Sequence, residues 1–280
     1  MSESKLGAYS SKLSSGFGAL QETRDFLRLW TPGVTPKVLV DTAVRQGVFG
    51  EATERRIYDQ VNDVFAPRYM VQDGRPARQL QVLLTGGCGG ADFAQLCFLH
   101  TCRVQVMLRE FVLQVYWDYA RQRATTLDRA AAMRFIHQGL DTGRMPTRWS
   151  DVTIKNNAGY LLSTCVEFGL LTRVRPGVCQ LTAFDLRPKV FAYLAHDLHF
   201  AGVSDADLVA HPDWQLFGLV AADVHRRLGQ GQLDDDALYQ YGAGLTTLSW
   251  RHATMDAFLL SLIHISEPRD GLLSRMPSSA

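Results

Sequence analysis

SDVTIKNNAGYLLSTCVEFG at residues 150–169, followed by LLTRVRPGVCQLT at residues 170–182, decides the fold class. Ser150 is a good N-cap, since its hydroxyl accepts from an amide one turn into a helix, and Asp151 complements the positive helix end. Val152, Leu161, Leu162, Cys165, Val166 and Phe168 supply an apolar face up to a carboxyl cap at Gly169, which predicts a helix over about 151–168. Two β-rich runs around Pro176-Gly177 then predict a hairpin. Upstream, Asp128 to Leu140 reads as a short amphipathic helix with Ala131, Phe135, Ile136 and Leu140 on one face, closed by Asp141-Thr142-Gly143 and Pro146. Helix, turn, helix and hairpin is the order of a winged helix-turn-helix, whose second helix enters the major groove while the hairpin touches the backbone or minor groove.

The polar residues of this segment suit that use. The first turns of the second helix are expected to expose Thr153, Lys155, Asn156 and Asn157, with Arg148 before them and Arg173 and Arg175 on the hairpin. Asparagine pairs with an adenine edge, lysine and arginine bind phosphate or guanine, and threonine serves either. A net charge of +1 announces no polyanion, but its distribution is uneven. Arg144 to Lys189 holds seven bases against three acids, whereas Val203 to Gln240 holds two bases against seven acids. Only the first segment suits a phosphate backbone. Winged helices also serve protein assembly, and a Lys-Asn-Asn run on a helix is often just a solvated face, so both readings stand at this level.

Around this centre the chain reads as mainly α. Helices are expected at about 18–30 (Phe17, Leu20, Phe26, Leu27, Trp30), from Thr35-Pro36 to Gly47, and at about 52–66 with Ile57, Val61, Val64 and Phe65 inward. Arg55, Arg56 and Arg68 are left free to point elsewhere. After turn chemistry at Asp73-Gly74-Arg75-Pro76 and Gly86–Gly90, apolar residues recur at three and four from Asp92 to Arg121, predicting one long core helix. A helix over Phe184–His199 comes after the winged segment, then a helix at Ala222–Leu228 and a second hairpin around Gly242-Ala243-Gly244, in acidic surroundings that favour a protein contact. The expected organisation is a helical bundle domain at 8–125, a winged-helix domain at 126–200, and a small α+β carboxyl-terminal lobe at 201–260.

Other chemistries find little support. Five cysteines form no C-x-x-C pair and read as small buried hydrophobes. The glycine run at 86–90 is followed by no G-K-[ST] and preceded by no strand, so a phosphate loop is not expected. His196 and His199 lie one turn apart with His211 as the near third candidate, too sparse a set for a metal. Signatures of serine hydrolases, zincins, Walker nucleotidases and cysteine enzymes are missing. No enzyme, cofactor, metal or small-molecule substrate is therefore expected. No run of about 18 uncharged apolar residues exists, and Met1 to Leu6 has no signal-peptide pattern, so neither a membrane nor export is expected.

The chain resembles the BrxA family of BREX bacteriophage-exclusion systems over roughly residues 8–260. The resemblance rests first on Tyr9-Ser10-Ser11-Lys12-Leu13, Glu22-Thr23-Arg24, and Gly47 through Thr53 with Arg55, Arg56 and Arg68-Tyr69. It continues in Trp149-Ser150, Thr153-Ile154-Lys155 and Glu167-Phe168-Gly169-Leu170-Leu171, then in Asp213-Trp214 with Phe217 and in Ser249-Trp250-Arg251. It implies a cytoplasmic, helical, DNA-binding accessory protein without catalysis, acting beside ATPase, methyltransferase and phosphatase-like defence components. The alternative is an assembly module that docks those components without touching DNA. Individual base contacts are not implied. Residues from about Ser261 to Ala280 depart from the family pattern, and Ser261 to Pro268 resembles translated sequencing-adapter sequence.

Overall fold

Threonines and prolines place the first helices in the computed structural model, which describes residues 8–10 and 19–264 except positions 146 and 234. Phe17, Pro146, part of the Tyr9–Leu13 segment and the tail beyond 264, all used in the sequence reading, lie outside the described residues. Helix α1 (Leu20–Leu29) buries Phe26 and Leu27. Helix α2 (Pro36–Gln46) begins where Thr35 accepts a hydrogen bond from the Val38 amide and ends at Gly47 in the left-handed region, φ 61°. Thr53 caps α3 (Glu54–Asp59) through the Arg56 amide.

A π-helical stretch (Gln60–Phe65) carries α3 into α4 (Ala66–Tyr69), so the helix passes Pro67 instead of stopping near 66. Proline inside a helix donates no amide bond, and the wide turn before it reroutes the ladder. An inserted residue also rotates every side chain downstream of it by about 100°. Arg68, expected to point outward beside the exposed Arg55 and Arg56, is instead buried.

Helix α5 (Arg75–Thr85) leads to the glycine break, after which the long helix expected over 92–121 proves discontinuous. Helix α6 (Gly90–Val104) ends at Gln105, whose φ −93° and ψ 88° are not helical. Helix α7 (Val106–Phe111) restarts and passes through a second π stretch (Val112–Tyr116) into α8 (Trp117–Arg121). The break changes the phase of the stripe: Gln105 is buried while Val104 reaches solvent.

Strand β1 (Thr126–Asp128), which the sequence reading missed, precedes α9 (Arg129–Asp141) and α10 (Asp151–Glu167). Strands β2 (Leu171–Arg175) and β3 (Val178–Leu181) then form the expected hairpin. The three strands make an antiparallel sheet in the order β1-β3-β2, with Leu127 opposite Cys179. Helices α11 (Pro188–Phe200) and α12 (Asp205–Val209), a 3-10 turn (Pro212–Phe217) and α13 (Ala221–Gly229) lead to a two-stranded hairpin of β4 (Ala237–Gly242) and β5 (Leu245–Trp250). Helix α14 (Met255–His264) takes in the first residues of the segment read as a foreign tail, and Leu262 in it is buried.

One apolar cluster runs through all three stretches expected as separate units. Phe98 of α6 packs on Phe168 at the end of α10, on Phe184, and on Phe217 of the 3-10 turn, at 5.4–5.6 Å between ring centroids. Beside it, Arg103 bridges the buried Asp197 and Asp213, each at 2.8 Å, and Arg75 reaches Asp197 at 3.2 Å. This ionic knot joins α5, α6 and α11 to the 3-10 turn. Among the described residues no helix is long and apolar enough to cross a membrane.

Candidate nucleic-acid interface

Local chemistry sets the entry of both helices of this segment. Asp128 caps α9 by accepting from the Ala131 amide at 2.8 Å, and Ser150 caps α10 by accepting from the Thr153 amide at 3.2 Å. Gly169, at φ 84°, turns the chain out of α10, and the Leu170 amide closes back on the Cys165 carbonyl. Thr182 then donates its hydroxyl to the Leu170 carbonyl at 2.8 Å, fastening the end of the hairpin to the end of the helix. Pro176 with Gly177 at φ 76° makes a type II combination. Such turns mismatch strand twist, and a bulge between Arg173 and Arg175 takes up the difference.

Packing of α10 on the β2–β3 hairpin brings Lys155, Asn156 and Arg173 around one cavity of about 220 Å³. Arg129, the first residue of α9, joins them, and Gly159, Ser163 and Gly177 complete much of the wall. The Arg129 amide donates to the Gly177 carbonyl at 2.8 Å, so sheet pairing aims this residue. Its Nε is buried without a hydrogen-bond partner among the described residues. Arg173 is steadied by donating to Ser163 Oγ at 2.8 Å.

The other expected residues divide. Arg148 is exposed on the loop before α10 and Arg175 is exposed at the hairpin turn, but neither lines the cavity. Thr153 is half-buried, its hydroxyl 2.9 Å from that of Ser150. Asn157 corrects the expectation outright. It is buried, and its Nδ2 donates to the Thr153 carbonyl at 2.9 Å, because one residue beyond Asn156 is a turn of about 100° toward the core. Arg129 escaped the sequence reading because it looks like any polar residue after an N-cap.

Charge availability sharpens the picture. Of the seven bases between Arg144 and Lys189, Arg144 pairs with Glu110 and Arg187 with Asp92. Among the described residues Arg129, Arg148, Lys155, Arg173 and Arg175 form no ion pair, so their charges remain for an outside anion. Cys179 also lines the cavity. Burial pushes the Cys179 thiol up, with Arg173 opposing, which keeps it protonated at neutral pH. Thiols at Cys88, Cys97, Cys102 and Cys165 are likewise raised by burial, Cys88 to about 11 and Cys97 to about 12.

Comparison with known proteins adds two findings. A family model described as BrxA matches residues 7–197. A crystal structure titled as an uncharacterized protein from Magnetospirillum magneticum is similar in fold, with a TM-score of 0.54 and 20% identity over 69% of this chain and 94% of that one. No curated protein matches.

Proposed function

The chain belongs to the BrxA family, which makes it a component of BREX phage-defence systems, and from that premise we propose that it is a non-catalytic accessory protein that binds duplex DNA through a winged helix. On this reading α9 and α10 are the helix-turn-helix pair, α10 is the groove helix, and β2–β3 is the wing. The observation that carries it is the convergence of Arg129, Lys155 and Arg173, all without ion-pair partners among the described residues, on one cavity between helix and hairpin. Guanidinium and ammonium groups gathered at one cavity suit phosphate oxygens, and on this reading Arg148 and Arg175 extend the contact along the backbone. Asn156 is the neutral residue placed to read a base edge.

A mobility-shift titration with duplex DNA at low salt tests it. Wild type should shift the duplex, and the combined Arg148→Ala, Lys155→Ala, Arg173→Ala and Arg175→Ala variant should need far more protein to do so. An unshifted duplex with wild type, or equal shifts for both proteins, overturns the proposal.

A second reading, docking of other defence components, draws on the far hairpin. Leu238, Tyr241 and Leu245 are each more than half exposed there, at the carboxyl-terminal end of the acidic stretch of the sequence. Under this reading co-purification survives loss of the four cations but not removal of residues 203–250.

A further inference from the structure

His196, Asp236 and His252 come from three different places in the chain and meet beneath the β4–β5 hairpin. His196 lies on α11, Asp236 immediately precedes β4, and His252 comes two residues after β5. One ligand atom from each lies within 4.8 Å of the others. His196 is fully buried and Asp236 nearly so.

The hydrogen bonding decides how these groups present themselves. His196 Nδ1 lies 2.8 Å from the Ala192 carbonyl, and a carbonyl only accepts, so the ring proton sits on Nδ1. That leaves the Nε2 lone pair unprotonated, and Nε2 has no hydrogen-bond partner among the described residues. An imidazole whose far nitrogen donates to a backbone carbonyl while its near nitrogen offers a lone pair is the arrangement of a metal-bound histidine. Phe258 stacks on the ring at 3.5 Å and Trp250 packs edge-on at 4.7 Å, which fixes its orientation. Asp236 Oδ1 lies 3.0 Å from His252 Nε2, close to the separation of two ligands around one tetrahedral ion. No lysine or arginine is within ion-pair distance of Asp236 among the described residues, so the buried carboxylate has only imidazole to balance it.

We propose that His196, Asp236 and His252 form a binding site for one divalent transition-metal ion of the zinc class, held by two imidazoles and a carboxylate with water in the fourth position. Two nitrogens and an oxygen of borderline hardness select such an ion over calcium or magnesium, which take oxygen ligands. Closing on the ion requires the widest ligand pair, within 4.8 Å, to approach by up to about 1.5 Å, since tetrahedral ligands at about 2.0–2.1 Å stand about 3.3 Å apart. The acidic stretch at 203–240 favours cation entry. The ion would fasten the base of the β4–β5 hairpin, where the Arg251 amide already donates to the Asp236 carbonyl, onto α11. From sequence spacing, His196, His199 and His211 are the histidines near one another, and no metal is expected of them. His199 stacks on Trp250 at 4.3 Å, and His211 caps the 3-10 turn through the Asp213 amide.

The test uses the full chain stripped with a chelator and titrated with Co2+, whose tetrahedral complexes absorb in the visible, and then challenged with Zn2+. Wild type should take up one Co2+ per chain and release it to Zn2+. Asp236→Asn and His252→Ala should bind at least about tenfold more weakly, and His211→Ala like wild type. A zinc-edge absorption spectrum of the wild type, which needs no variant, should show imidazole scattering with nitrogen and oxygen at about 2.0–2.1 Å. No cobalt band in the wild type, unchanged affinity in both ligand variants, lost affinity in His211→Ala, or a zinc shell without imidazole overturns the proposal.

Discussion

Replacing Arg129 by glutamine probes the DNA reading at the position that tertiary structure added to it. If Arg129, Arg148, Lys155, Arg173 and Arg175 each neutralise one phosphate, log K against log salt should have a slope of about −4.5, at about −0.9 per contact. Affinity then falls about 500-fold between about 50 and 200 mM salt. Arg129→Gln should bring the slope to about −3.6 and the loss over the same range to about 150-fold. Lys155→Ala with Arg173→Ala should bring it to about −2.7, a loss of about 40-fold. Fluorescence anisotropy with a labelled duplex over a salt series reads these slopes directly. Two neutral positions serve as controls. Asn156→Ala should leave the slope alone, because it carries no charge, and Asn157→Ala should act on stability, because that side chain is buried in α10. A wild-type slope in Arg129→Gln would refute the assignment, as would a slope changed as much by Asn157→Ala as by Lys155→Ala.

The core offers further tests. Arg103→Ala strands the buried Asp197 and Asp213 carboxylates and should cost about 3–5 kcal/mol, read as a melting temperature lower by about 6–20 °C; a loss under about 1 °C would contradict the ionic knot. His100, buried against the Tyr193 hydroxyl at 3.0 Å, is lowered by burial from 6.5 to about 3. Between those values the unfolded chain holds the extra proton. Stability should therefore be complete above about pH 6.5 and fall on acidification by up to about 1.4 kcal/mol per pH unit, a slope that His100→Leu should reduce in urea melts. Ser150→Ala removes the cap of α10 and should cost about 1 kcal/mol by chemical denaturation, with Ser150→Thr retaining most of it. Gly218→Ala should lower the melting temperature beyond an ordinary surface change, since φ is 71° and a Cβ there would stand 2.7 Å from the Trp117 ring.

Much of the local structure was legible in residue order. Thr35, Thr53, Asp128 and Ser150 stand where capping chemistry requires them, and Gly47, Gly169 and Pro176-Gly177 stand where the backbone must turn. These signals work because a cap or turn satisfies amides within four residues, a range that sequence displays directly. Strand β1 was not legible, since three residues carry no alternation of their own and pair only because β3 is already there. The break at Gln105 and the π stretches hid for the opposite reason: an apolar spacing of three and four looks the same whether the helix runs on or slips by a residue.

By itself, then, the sequence determined a mainly helical chain, the cap-to-cap extent of α9 and α10, the hairpin after them, and the family. Only tertiary structure decided that Arg129 joins Lys155 and Arg173, that Asn157 and Arg68 turn inward, that Arg103 serves two aspartates, and that His196 faces Asp236 and His252. Capping and turn energies belong to neighbours along the chain. Which charge or lone pair is left for a ligand depends on whichever distant segment packs against it, and that is known only once the core has closed.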